Sequence, residues 1–248
     1  MNRRFHIRRF GCLLVALLAS VQAGCAGPDA DENPEKVLSV ASAGLEGVDR
    51  YTFRIRSFVR SGGIELQELE SCEGEIAGHA VRAIRSLSGG SARAAAAVET
   101  PASRLAALAR ERARVEFADR DARRLMLRVT LEGDAAVRQV RERLVKRFER
   151  AAERAASERS LRAGADAGAA ERYRAAVSRE TERFRRELAG LLDGLEAEMT
   201  VLVTIDRRTM LPLELEETTV LRYEAGGRKR TEEQVTRMTL DGFNGRPS

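Results

Sequence analysis

The apolar residues of this chain change period twice, and that change restricts it to a mixed fold. Tyr51, Phe53, Ile55 and Val59 alternate with Thr52, Arg54, Arg56 and Arg60, the period of two expected of a half-buried strand. From Asp134 to about Arg162 the spacing becomes three or four, in Val137, Val140, Leu144, Phe148, Ala151 and Ala155. After Gly164 to Gly168 the same spacing returns in Tyr173, Val177, Phe184, Leu188, Leu191 and Leu195. Two amphipathic helices joined by a short Gly-containing turn predict an antiparallel hairpin, each arm roughly 40 Å long at about 1.5 Å per residue. Arg and Glu alternate in near balance between the stripes, which describes a solvated, ion-paired helix surface. Met199 to Ile205 is then a continuous apolar run. Beyond it Leu213, Leu215, Thr219, Leu221 and Tyr223 share one side of a strand, opposite Glu214, Glu216, Thr218 and Arg222. The reading is α+β: a sheet domain over 34–133 and 199–243, interrupted by a helical hairpin over 134–198.

Finer elements follow from local signals. Asn33-Pro34 pairs an N-cap residue with proline at the first helical position, and Val37, Leu38, Ala41 and Leu45 then fall on one helical face before Gly47. Gly62-Gly63 turns the first strand into a partner from Ile64 to Cys72. Glu73 to Ala77 and Val81 to Leu87 read as further strands, with Gly78-His79 between them. Ser103 is the expected cap of a helix in which Leu105, Leu108, Arg112 and Val115 share a stripe, and Asp119 to Asp121 is an expected turn. Leu125, Leu127, Val129 and Leu131 alternate as another strand, and Thr231 to Leu240 pairs back across the Gly226-Gly227 turn.

The first 24 residues read as a processing signal. Arg3, Arg4, Arg8 and Arg9 precede the apolar stretch Leu13 to Val21, which is far short of the roughly 20 residues a spanning helix needs. Gln22-Ala23-Gly24-Cys25 follows and resembles a bacterial lipobox, with Gln22 where leucine is usual. Lipidation of Cys25 is the expected outcome; cleavage after Ala23 to give an untethered secreted protein is the competing one. Residues 25–33 are polar and acidic, the composition of a flexible tether. The address this predicts is the outer face of the cytoplasmic membrane, or an outer membrane where there is one. The formal charge of +5 owes four arginines to the signal, so the remaining chain is near neutral and a nucleic-acid partner is not expected.

Catalytic patterns are missing from the sequence after the signal. His79 is its only histidine and Cys72 its only cysteine beyond Cys25, which leaves no set of ligands for a histidine or multi-cysteine metal site. His79 reads as a surface turn residue and Cys72 as a small, partly buried strand residue. Glu65, Glu68, Glu70, Glu73 and Glu75 crowd one hairpin and Glu214, Glu216 and Glu217 another. Pairs spaced by two, such as Glu68/Glu70 and Glu214/Glu216, read as one solvent-facing sheet surface. No enzyme activity, metal or cofactor is expected.

The two ends of the sheet domain carry a resemblance. A helix leads into Tyr51-x-Phe53 and a Gly-Gly hairpin. Later, Ile205-Asp206-Arg207-Arg208-Thr209-Met210-Leu211-Pro212 precedes paired strands that close on Asp241-Gly242-Phe243-Asn244. Over roughly 34–88 and 199–243 this resembles the bacterial lipoproteins with a half-barrel fold related to the carriers LolA and LolB, among them LppX- and LprG-like lipoproteins. The resemblance implies a curved antiparallel sheet packed on an N-terminal helix, with carriage or sensing of a lipid or other apolar ligand. Tyr51, Phe53, Ile55, Val129, Leu213, Leu215, Leu221 and Tyr223 are the candidate ligand-contacting residues, and a plain packed core is the alternative role for the same side chains. An envelope interaction protein that docks its partner through the charged helices at 134–196 is the second functional reading.

Overall fold

Strands β1 (Arg50–Ser61), β2 (Ile64–Ala77) and β3 (Ala80–Ser86) open an eight-stranded, fully antiparallel sheet. Strands β4 (Arg114–Arg120), β5 (Arg124–Leu131), β6 (Glu196–Asp206), β7 (Pro212–Ala225) and β8 (Arg228–Asp241) complete it in the order β3-β2-β1-β8-β7-β6-β5-β4. Helices α1 (Pro34–Glu46) and α2 (Pro101–Arg110) and the long helices α3 (Gly133–Ser160) and α4 (Ala167–Asp193) accompany it, with a short 3-10 turn at Phe243–Gly245. The fold is α+β. This computed structural model describes residues 33–61, 64–87, 99–111, 113–160 and 167–245. The signal, Cys25, the Gly62-Gly63 turn and most of the Gly164–Gly168 break lie outside those residues. Among the described residues no helix is long and apolar enough to cross a membrane.

Each face of the sheet has its own chemistry, set by strand alternation. One face, here called inner, carries Phe53, Ile55, Leu127, Val129, Met199, Val201, Val203, Leu215, Met238 and Leu240, all buried. Helices α1 and α2 close over it with Val37, Leu38, Ala41, Leu45, Leu105 and Leu108, and α3 and α4 add Ala136, Val140 and Leu192. Burial of this apolar area, at about 25 cal/mol per Å2, is the main stabilising term. The outer face is ionic. Arg54 bridges Glu73, which also takes Arg85 at 2.6 Å. Arg56 reaches Glu65 at 2.7 Å and Glu68 at 3.1 Å, and Arg237 reaches Glu216 at 2.5 Å and Glu214 at 3.3 Å. Most of the crowded glutamates are therefore cross-strand partners of arginines.

Helix α1 begins where its signals place it. The Asn33 side chain accepts the Glu35 N–H at 2.8 Å, and Pro34 follows at the first helical position. Helix α2 differs from expectation. Its cap is Thr100, whose Oγ1 accepts the Ser103 N–H at 3.2 Å, because Pro101 fixes the first turn two residues earlier. Val115 is not on that helix but in β4, and Asp119 is also in β4. The turn is made by Asp121, whose side chain accepts the Arg123 and Arg124 N–H groups. The segment Ile205 to Pro212 is the β6–β7 turn. There Asp206 Oδ1 accepts the Thr209 N–H at 2.7 Å and the Thr209 hydroxyl at 2.8 Å, so its aspartate and threonine act as turn formers.

Ile64 to Ala77 is one strand rather than two and runs unbroken through Gly74. Gly74 lies opposite Phe53, whose ring occupies the space a Cβ at position 74 would take. The pairing shifts by one residue between Ser57 and Phe58, leaving Leu69 as a bulge. Glu68 therefore pairs with Phe58 on the outer face, while Glu70 pairs with Ser57 on the inner one. The expectation that Glu68 and Glu70 share a face fails for that reason.

Gly74→Ala is expected to lower stability by about 1–3 kcal/mol through overpacking against Phe53. Adding Phe53→Leu should recover part of the loss in urea denaturation. A Gly74→Ala protein as stable as the parent would show that the ring moves aside freely.

Candidate functional site

One carboxylate stands among the inward residues of β7. Alternation places Glu217 on the same side as Leu215, Thr219 and Leu221, and it is only 5 % exposed. An ionised carboxylate there requires partners of opposite charge, and two helices bring them. Arg104 of α2, 2 % exposed, donates to Glu217 Oε2 through Nε at 2.7 Å, with Nη2 2.6 Å from the same oxygen. Arg143 of α3 donates to Oε1 at 2.6 Å, and the Thr219 hydroxyl donates to that oxygen at 3.1 Å. Gln139 accepts a further Arg104 N–H at 2.8 Å, and the Met199 sulfur lies 2.9 Å from Arg104 Nη2 and 3.5 Å from Arg143 Nη2. Among the described residues no buried side-chain nitrogen or oxygen lacks a partner.

Burial pushes the Glu217 carboxyl upward, but the charges of Arg104 and Arg143 and their hydrogen bonds outweigh it and hold the group down to about 2. Such a carboxylate is a poor proton acceptor at neutral pH, and both of its oxygens are already taken. Chemically the group is a clamp joining α2, α3 and β7. In sequence Glu217 belongs to the same acidic cluster as Glu214 and Glu216, of which only Glu214 and Glu216 are expected to face solvent. The strand's period of two sets Glu217 with the apolar row, a signal legible in Leu215-x-Glu217-x-Thr219.

Beside the clamp lies a cavity of about 510 Å3 between α3, the start of α2 and the inner face. Its floor is Ile55, Met238 and the Ser57–Thr236 hydroxyl pair, which are 2.9 Å apart. Arg143, Lys146, Arg147 and Arg150 line it from α3, and Glu70, Glu99 and Glu217 are its acidic members. A second concavity is apolar. Between α3 and α4 runs an open groove of about 730 Å3, lined by Leu144, Phe148, Ala151, Ala155, Val177 and Phe184 among others. Phe184 is 47 % exposed in it. Arg185 links the two helices through Glu149 at 3.2 Å.

The candidate ligand residues are gathered on the sheet but lie beneath the helices. Tyr51, Phe53, Ile55, Val129, Leu215 and Leu221 are buried in the core, while Leu213 and Tyr223 are half-buried. Ile55 alone of them lines the cavity beneath α3. The Tyr51 phenol, pushed up to about 12 by burial, bonds the backbone of Ala102 in the first turn of α2 and so helps to seat that helix. Burial, with the charge of Glu70, pushes the Cys72 thiol up to about 11, which makes it unreactive. His79 sits in the β2–β3 turn with positive φ. Among the described residues no group of three or more His, Cys, Asp or Glu side chains is placed to hold a metal ion. The chain matches no protein-family model and shows no significant similarity to any curated protein.

Glu217→Ala leaves Arg104 buried without its counter-charge and is expected to cost about 3–5 kcal/mol, whereas Arg104→Met with Glu217→Leu should cost far less. Because the Glu217 pKa is lowered from 4.5 to about 2, its contribution is complete above about 4.5 and is lost as pH falls through about 2. Denaturation midpoints measured down that range should fall less steeply for Glu217→Gln. Equal acid sensitivity in the two proteins would remove the clamp from the account.

Proposed function

We propose that this chain is an exported lipoprotein, tethered through Cys25, whose role is non-enzymatic docking of a partner helix in the groove between α3 and α4. One observation carries the reading. Most of the apolar inner face of the sheet is covered by the protein's own helices, while the groove lies open and apolar along α3 and α4. In this proposal the two helices form one antiparallel arm, and the sheet is a half-barrel of the LolA- and LolB-related kind that holds the arm away from the membrane.

The lining suits a helix. From Leu144 to Ala155 it spans about three turns, roughly 16 Å. Ala151, Ala152, Ala155 and Ala176 keep the middle shallow, while Phe148, Tyr173 and Phe184 offer large apolar contacts. Glu180 and Glu187 stand on its rim, exposed. Arg183 pairs with both glutamates, at 3.0 and 3.5 Å, so the matching partner is an amphipathic helix selected by its apolar stripe. An apolar small molecule, such as a lipid chain, is the competing occupant.

A photo-reactive residue placed at Phe184, in protein made in its native host, should crosslink one protein in stoichiometric yield. The same residue at Thr239 on the outer face should not, and Val177→Asp should abolish the product. Intact mass should add acyl chains at Cys25 and none in Cys25→Ser. No protein crosslink, with a noncovalent lipid released on denaturation, would replace the docking role with lipid carriage. An unmodified Cys25 would remove the tether.

A further inference from the structure

The cavity beneath α3 is lined by four basic side chains, all from one helix, and by Glu70, Glu99 and Glu217. Arg143, Lys146, Arg147 and Arg150 follow one another at spacings of three, one and three, and all four line it. Arg143 has a short acidic partner, Glu217 at 2.6 Å. Lys146 meets Glu142 at 3.9 Å and Arg147 meets Glu70 at 4.0 Å, and such exposed, loose pairs contribute little to stability. Glu217 is shared with Arg104 behind the wall, so this one carboxylate serves two guanidinium groups and only part of its charge is spent on Arg143.

We infer that this cavity binds a phosphate ester, with the phosphate between Arg143, Lys146 and Arg147 and the organic part on Ile55 and Met238. Glu217 and the Met199 sulfur hold Arg143 in one position, and neither contact uses its Nε–H. A fixed guanidinium beside two adaptable cations presents several separate donors, which suits a group with three or more acceptor oxygens better than a carboxylate with two. The Ser57–Thr236 hydroxyl pair, in which one O–H is spent on the other oxygen, leaves a single neutral donor on the floor. Helix α2 brings the positive end of its dipole to the same wall at Thr100 and Ser103. The volume of about 510 Å3 exceeds what a bare phosphate fills and falls within the range of small-molecule sites, about 300–1,000 Å3.

This site is separate from the α3–α4 groove and stands or falls independently of it. The test uses the full chain carrying Cys25→Ser, so that no acyl anchor obscures lipid binding. It is titrated calorimetrically with glycerol 3-phosphate and, separately, with nanodiscs of phosphatidylglycerol or phosphatidylcholine. Lys146→Gln with Arg147→Gln, both exposed positions, should weaken binding by about tenfold or more while leaving the circular dichroism spectrum and unfolding midpoint unchanged. Saturable glycerol 3-phosphate binding that is lost in the double variant supports the site and assigns a soluble ester. A response to phosphatidylglycerol alone, equally sensitive to the double variant, supports it and assigns a lipid headgroup. Absence of binding to either probe, or binding unchanged in the double variant, overturns the proposal.

Discussion

A single ionised carboxylate on the covered side of the sheet sets the terms for everything packed above it. Glu217 sits in the middle of an apolar row, where an unpaired charge would cost several kcal/mol. The requirement is met from two directions, by Arg104 from α2 and Arg143 from α3. Neither helix can slide along the sheet without breaking that bond. Apolar packing supplies most of the stability here, but it is non-directional, whereas the clamp fixes both the distance and the angle between its partners. The position of α3, and with it the wall of the cavity beside Glu217, follows from this one contact.

What fills the inner face also decides where anything else can bind. The apolar residues of β1, β5 and β7 are consumed by α1, α2 and the first turns of α3. An open apolar groove lies between the long helices, exposed apolar side chains also stand on β2, and basic side chains are concentrated where α3 crosses the strands. The two concavities differ in chemistry because opposite sides of α3 differ. Leu144, Phe148, Ala151 and Ala155 face α4, while Arg143, Lys146, Arg147 and Arg150 face the sheet.

Period was the readable part of the sequence. The change of spacing at Asp134 and its return before Met199 located α3, α4 and β6, and Asn33-Pro34 located the start of α1. The positions missed in sequence had different causes. The bulge at Leu69 sends Glu68 and Glu70 to opposite faces, a consequence of pairing with Ser57 and Phe58 that β2 alone does not encode. Strand β4 was hidden because Val115 continues the apolar spacing of Leu105 and Leu108, while the proline that fixes the start of α2 lies earlier. Glu217 was legible in principle. It sits at an inward position of a strand whose other inward residues were recognised, but its acidic neighbours Glu214 and Glu216 disguised it. Arg104 and Arg143 carry no such signal, since the arginine-rich helices contain many residues like them.

The order of the strands has a kinetic meaning. β1 lies between β2 and β8, so the first and last strands of the sheet are joined at its middle, and Thr52 bonds Asp241 across a separation of 189 residues. Until the final strand arrives, β1-β2-β3 and β4-β5-β6-β7 are two half-sheets, each with a bare edge. A chain that emerges N-terminus first therefore cannot lock its architecture gradually. Closure waits for β8, the situation in which long-range pairing is slow and unpaired edges invite wrong partners.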